Sequence, residues 1–173
     1  SFGVLKEMLS FSIWTLLESI SIWLTSWIGT FIVGTSLSTY YMGIYKTSIA
    51  TVNGIMSIIT GATTTVLFST LSRLQNNEGT YNRTFFKFQR LVGILVLPMG
   101  VGMYMYRDFI TAVLLGSQWE EASLFVGLWG ITSAISIVFA HYSTEIYRSK
   151  GRPKLSFFAQ MLHLIVLVPV LLY

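Results

Sequence analysis

Glu18, Lys46 and Asn53 have a chemistry to offer and an unusual setting for it: each interrupts a long run of apolar, small and hydroxyl residues. An ionised carboxylate is costly in apolar surroundings, so Glu18 should face a polar cavity, a partner or another helix, or else stay protonated. One reading of Glu18 is substrate contact or proton coupling. The other is a carboxyl hydrogen-bonded between helices through neighbours such as Ser19 or Ser21. Lys46 lies about 10 Å along its run from the outer start, close enough to snorkel to the interface or to point into a central cavity. Asn53 follows in the same run and joins it as a candidate for substrate binding or coupling. A direct Glu18–Lys46 ion pair is not expected, because the two would sit at unequal depths.

His141 and Glu145 are four residues apart and share a helical face, the spacing of a proton relay or a metal pair. Arg148 and Lys150 just beyond them favour a salt-bridged helix end, and two ligands without a third specify no metal geometry. His163 stands alone and reads as a packed or hydrogen-bonded residue. The chain has no cysteine, which excludes disulfides and thiolate metal sites. It also lacks a phosphate-cradling glycine loop and any nucleophile with a base beside it, so no enzyme activity, metal or other cofactor is expected.

The elements that position these residues must tolerate lipid. The chain is 53% hydrophobic and 10% charged, with a mean hydropathy of +0.67, whereas soluble domains carry about 25% charged residues. Its apolar residues recur in blocks near the length that crosses a ~30 Å hydrocarbon layer. The reading is an all-α membrane protein of about five transmembrane helices, forming one region over residues 1–173, with spans at 8–34, 40–71, 86–106, 122–147 and 155–173. Residues 35–39 make a tight hairpin. A polar stretch, 72–84, with the turn-like Asn76-Asn77-Glu78-Gly79, leads to the interfacial Phe85-Phe86-Lys87-Phe88-Gln89-Arg90. Pro98, Gly100 and Gly102 predict a kink in span three, Gly116 a break, and Trp119 an interface anchor.

The net charge of +4 is not a nucleic-acid signature, because the bases cluster between apolar blocks. Lys6, Arg73, Arg83, Lys87, Arg90, Arg148, Lys150, Arg152 and Lys154 fall on one side of five alternating spans, and Arg107 alone on the other, with Lys46 inside a span. Short-loop Lys and Arg mark the cytoplasmic side, so residue 1 and the loops near Arg73 and Arg148 are expected there. Within the spans, Ser57 with Gly61 and Gly130 with Ala134 are small residues four apart that would let helices approach closely. The hydroxyl run Thr60, Thr63, Thr64, Thr65, Ser69 and Thr70 has two readings, a wet groove or hydroxyls spent on carbonyls of their own helix. The odd span count, the apolar end and the lack of a start methionine point to a fragment of a longer protein.

In this order of spans, Met42-Gly43-Ile44-Tyr45 after the hairpin and Ser72-Arg73-Leu74 closing span two resemble the second half of the polysaccharide flippases. Leu97-Pro98-Met99-Gly100-Val101-Gly102, Leu115-Gly116-Ser117-Gln118-Trp119 and Lys150-Gly151-Arg152-Pro153-Lys154 follow in that family's order. The resemblance, which covers almost the whole chain, is to the O-antigen and capsule oligosaccharide flippases. These share a superfamily with the multidrug and toxin extrusion transporters. It implies the start of the carboxy-terminal lobe of a two-lobed transporter in the inner (cytoplasmic) membrane, whose amino-terminal lobe is a missing partner. It also implies alternating access for an undecaprenyl-pyrophosphate-linked oligosaccharide, with Glu18 and Lys46 lining the cavity. Lys46 would hold the pyrophosphate or an acidic sugar, and Glu18 would contact sugar hydroxyls or couple an ion gradient. The rivals are a multidrug cation antiporter of the same superfamily, a membrane polysaccharide polymerase or ligase, and an inert anchor.

Overall fold

An apolar chain that cannot leave its amide groups unpaired in hydrocarbon closes them within helices, and every regular element among the described residues is helical. The computed structural model describes residues 2–150 and 153–172, with side chains for 8–142, 146–147, 149–150 and 154–169. The elements are α1 (Phe2–Ser36), α2 (Thr39–Leu74), α3 (Glu78–Met105), α4 (Arg107–Leu114), α5 (Ser123–Ser136), α6 (Tyr142–Ser149) and α7 (Pro153–Leu172). Among the described residues, four segments are long and apolar enough to cross a membrane: Met8–Ser36, Thr39–Leu74, Glu78–Met105 and Ser117–His141. The fifth expected span forms α7, in which the apolar stretch among the described residues is the shorter Lys154–Pro169.

One connection differs from the sequence expectation in an instructive way. The polar stretch 72–84 is mostly helix: Arg73 and Leu74 finish α2, and α3 starts at Glu78. Asn77 sets that start, its side-chain oxygen accepting from the Thr80 backbone N–H at 3.1 Å, so three residues suffice for the turn. Gly116 does break the chain, adopting φ 94°, a conformation that side chains with a Cβ disfavour. A 3-10 turn, Ser117–Ala122, then leads into α5. Span four is continued from α5 to α6 by a π-turn, Ile137–His141, whose wider winding frees a backbone carbonyl. Gln89 of α3 takes it up, its amide donating to the Val138 carbonyl at 2.8 Å.

The chain divides into two compact units, residues 1–39 with 147–173 and residues 40–146. In the first, Trp14 meets Phe157 and Lys154, Glu18 meets Ser156, and Thr25 meets Gln160. The partners advance together, so α1 and α7 run parallel. In the second, Tyr45 meets Phe125, Asn53 meets Trp129 and Thr64 meets His141, which makes α2 parallel to α5 and α6. Tyr81 with Ile146, Gln89 with Val138 and Tyr104 with Gly127 make α3 antiparallel to them. A chain that crosses a layer back and forth requires these directions for its first and fifth, second and fourth, and third and fourth passes. Arg73, Arg83, Lys87 and Arg90 consequently share one end of the second unit, while Arg107 packs against Gly127 at the other.

The core of the second unit holds Val52, Met56, Val92, Val96, Val126 and Tyr142. A close approach joins α3 to α5. A Cβ placed on Gly100 would lie 2.5 Å from the Ala134 Cβ and 3.0 Å from the Gly130 carbonyl oxygen. The Gly130–Ala134 pair therefore packs as its spacing suggests. Gly61 does not: nothing lies within 4 Å of a Cβ built there, and the Ser57 hydroxyl donates to Gly54 of its own helix. Gly100→Ala should therefore destabilise the full-length protein in detergent by about 1–3 kcal/mol. Gly61→Ala should leave the midpoint of thermal unfolding unchanged or raise it. Equal losses in the two variants would contradict the α3–α5 contact.

Candidate functional site

Glu18 lies about 15 Å along α1 from Met8, near the middle of a ~30 Å layer, and is only 3% exposed. Its Oε1 accepts a hydrogen bond from the Ser156 hydroxyl of α7 at 2.6 Å. The bridge is thus interhelical, as one reading of the sequence has it, but the donor is neither Ser19 nor Ser21. Those hydroxyls donate to the carbonyls of Thr15 and Leu17 one turn back, the usual way for a serine to pair its proton inside an apolar helix. The second carboxyl oxygen, Oε2, is buried without a hydrogen-bond partner among the described residues. Two turns further on, the Gln160 amide donates to the Thr25 hydroxyl at 2.9 Å. One turn before Glu18, the Trp14 ring packs on Phe157 at 5.6 Å and lies 5.3 Å from the Lys154 ammonium. The outer face of α1 is apolar, with Leu16, Ile20, Trp23 and Phe31 exposed. A polar seam therefore runs between α1 and α7, with one acceptor still unused.

Lys46 and Asn53 belong to the other unit. Their spacing of seven residues puts both on one face of α2, and both are exposed. Ser57, Thr60 and Thr64 continue that face, interleaved with Ala50 and Gly61, so ammonium, amide and hydroxyls form a stripe about 27 Å long on a membrane-crossing helix. Asn53 accepts from the Trp129 indole N–H at 3.3 Å, and Trp129 stacks on Phe125 at 5.9 Å. Thr64 bonds the His141 Nε2 at 2.9 Å, and Thr63 bonds the Tyr142 hydroxyl at 2.5 Å. The own-helix reading of the hydroxyl run holds in part. Thr60, Thr63, Thr65 and Ser69 donate to carbonyls of α2 itself, while Thr63 and Thr64 also reach the neighbouring helix.

Glu18 is thus placed with Ser156, Lys46 is placed with Asn53, and the two pairs lie in separate units. Sequence reasoning missed Ser156, Gln160, Trp129 and Tyr142. Serine and glutamine in an apolar run give no pairing signal until it is known which helix stands alongside. His141 turns to α2, and the Glu145 side chain of its suggested pair lies outside the described residues. His163 is exposed rather than packed. The side chains of Lys6 and Arg148, and all of Gly151 and Arg152, likewise lie outside the described residues. Among the described residues no three His, Asp or Glu side chains come together as a metal site.

If Ser156 is what pairs the buried carboxyl, Ser156→Ala should cost about 1–3 kcal/mol of stability, the desolvation cost of a second unpaired oxygen. In a Glu18→Met background the same change should cost little. Equal costs in both backgrounds, measured by unfolding of the detergent-solubilised full-length protein, would show that the two side chains do not interact.

The comparisons bear on the whole of this arrangement. A curated membrane protein of the cps region of Klebsiella pneumoniae is 28% identical over 170 residues, 98% of this chain and 35% of that protein. The chain thus spans about a third of the length of the relative it matches. No solved structure matches. The family model described as polysaccharide biosynthesis protein matches residues 1–124. Together with the membrane-crossing helices, this makes the chain a multi-pass membrane protein that belongs to the polysaccharide biosynthesis protein family.

Proposed function

We propose that this chain is part of a flippase that carries lipid-linked oligosaccharide repeat units across the cytoplasmic membrane by alternating access, for surface polysaccharide assembly. The observation that carries the reading is the polar stripe along α2, in which Lys46, Asn53 and Ser57 are exposed and Thr60 and Thr64 half-buried. Polar side chains on a membrane-crossing helix face a water-filled path or a protein neighbour, because lipid cannot pair them. A sugar and pyrophosphate headgroup has the complementary chemistry: hydroxyls for the amide and hydroxyl groups of the stripe, and an anion for Lys46. Family membership and the cps-region relative support a role in surface polysaccharide. A neutral amide such as Asn53, held in place by Trp129, suits a sugar better than the small organic cations that an antiporter would take.

In this reading the chain is the start of the second lobe of a two-lobed, multidrug-exporter-like protein, α2 lines the substrate path, and the remainder of the longer protein supplies the opposite lobe. Residue 1 is cytoplasmic, as are the basic ends near Arg73 and Lys150. Glu18 serves as the coupling group. Its Oε1 is anchored by Ser156, and its unpartnered Oε2 is left to take a proton or a cation as the lobes rearrange.

Two variants of the full-length protein test this. Removing a charge-assisted contact to the anion should reduce polysaccharide export about tenfold or more in Lys46→Ala cells at unchanged protein abundance, with lipid-linked repeat units accumulating and Lys46→Arg retaining most activity. Glu18→Gln, which keeps the shape but cannot exchange a proton, should abolish the dependence of export on an ion gradient. Normal export by Lys46→Ala would remove Lys46 from the path. Accumulation of organic cations rather than lipid-linked sugars on deletion would favour the antiporter.

A further inference from the structure

The second unit carries a groove that the transport reading does not use. It is about 630 Å³ in volume and lies between α3 and the π-turn, lined by Gln89, Arg90, Gly93, Ile94, Leu97 and Val138. Local sequence makes it. Gly93 contributes no side chain, and Val138 sits where the π-turn widens the helix, with the freed carbonyl already held by Gln89. Most of the lining is apolar, and Ile94 is 64% exposed. Arg90 marks one end and, among the described residues, no carboxylate pairs with it.

The helix face around this groove changes character along its length. Arg83, Lys87 and Arg90 follow at i, i+4 and i+7, and Ile94 and Leu97 continue the same face. All three bases are exposed. From Phe86 to Pro98 the groove follows about 18 Å of helix, close to one leaflet's share of the ~30 Å hydrocarbon layer. A cationic patch followed by an apolar channel of one-leaflet depth is complementary to a single amphiphile, an anionic head with a hydrocarbon tail. Basic pockets at the membrane-facing ends of helices select such heads over zwitterionic ones. A soluble anion would leave the channel unused, and an uncharged tail would leave the arginine unpaired.

We infer that this groove is a binding site for an anionic phospholipid, with the phosphate at Arg90, supported by Lys87 and Arg83, and one acyl chain along Gly93, Ile94 and Leu97. The site tethers α3 to the leaflet at the same end where the unit's basic residues gather.

Native mass spectrometry of the full-length protein in detergent, supplied with phosphatidylglycerol or phosphatidylcholine of identical chains, tests this directly. Wild type should retain phosphatidylglycerol preferentially. Arg90→Gln should weaken that retention about fivefold, the effect of one base near a lipid surface. Ile94→Trp, which fills the channel at an exposed position, should bring phosphatidylglycerol down to the phosphatidylcholine level. Equal retention of the two lipids, or retention untouched by both groove variants, would overturn the proposal. So would preferential capture of an isoprenoid phosphate over phosphatidylglycerol that the same variants abolish.

Discussion

In hydrocarbon a polar atom has no water to fall back on, so each one must find its partner within the protein or face a place where water is let in. The backbone meets this constraint by closing into helices, and the hydroxyls of α1 meet it by donating to carbonyls one turn back. Glu18 cannot be satisfied so locally. Its carboxyl needs a donor from another helix, and the one it finds, Ser156, stands well over a hundred residues away in sequence. That bond, together with the Thr25–Gln160 contact on the same seam, brings the first and last described helices side by side.

A different device holds the second unit together. Here the helices approach through absent side chains, with Gly100 against Ala134 and Gly130 against Met103, where dispersion contacts do what the hydrophobic effect cannot do between helices already in lipid. The π-turn adds a polar contact where a regular helix would have none to offer, because the carbonyl it frees is taken by Gln89. Small residues and polar contacts divide the labour: the former set how close α3 and α5 come, the latter their register. On the remaining surface Leu95, Tyr106, Phe109 and Leu124 are exposed, as suits a solvent made of acyl chains.

Much of this was legible in the residues. Blocks such as Met8–Ser36 and Ser117–His141 declare themselves by length and composition, because bilayer thickness fixes how many apolar residues a helix must have. The break at Gly116 followed from the freedom glycine alone has there, and the close approach at Gly130 and Ala134 from their small size. The α2–α3 connection was harder to read, since polarity suggested a loop where Asn77 caps a helix. Ser57 and Gly61 show the limit of small-residue spacing, which marks a face able to pack but not whether a neighbour is there. The partners of Glu18 and Asn53 were hidden for a related reason: local sequence records which residues share a face, and not which distant helix meets it.

The transport reading and the lipid site both require the proposed topology, in which the chain crosses the bilayer repeatedly and its basic ends lie on the inner side. Absence of cysteine from this chain permits a direct measurement, in which single Ser38→Cys, Gln75→Cys and Lys150→Cys variants of a cysteine-free full-length protein are exposed in intact cells to a membrane-impermeant thiol reagent. Ser38→Cys should label at once, and the other two only after the membrane is opened. Labelling of all three from outside, or of Gln75→Cys and Lys150→Cys before Ser38→Cys, would contradict the topology on which both the transport reading and the lipid site depend.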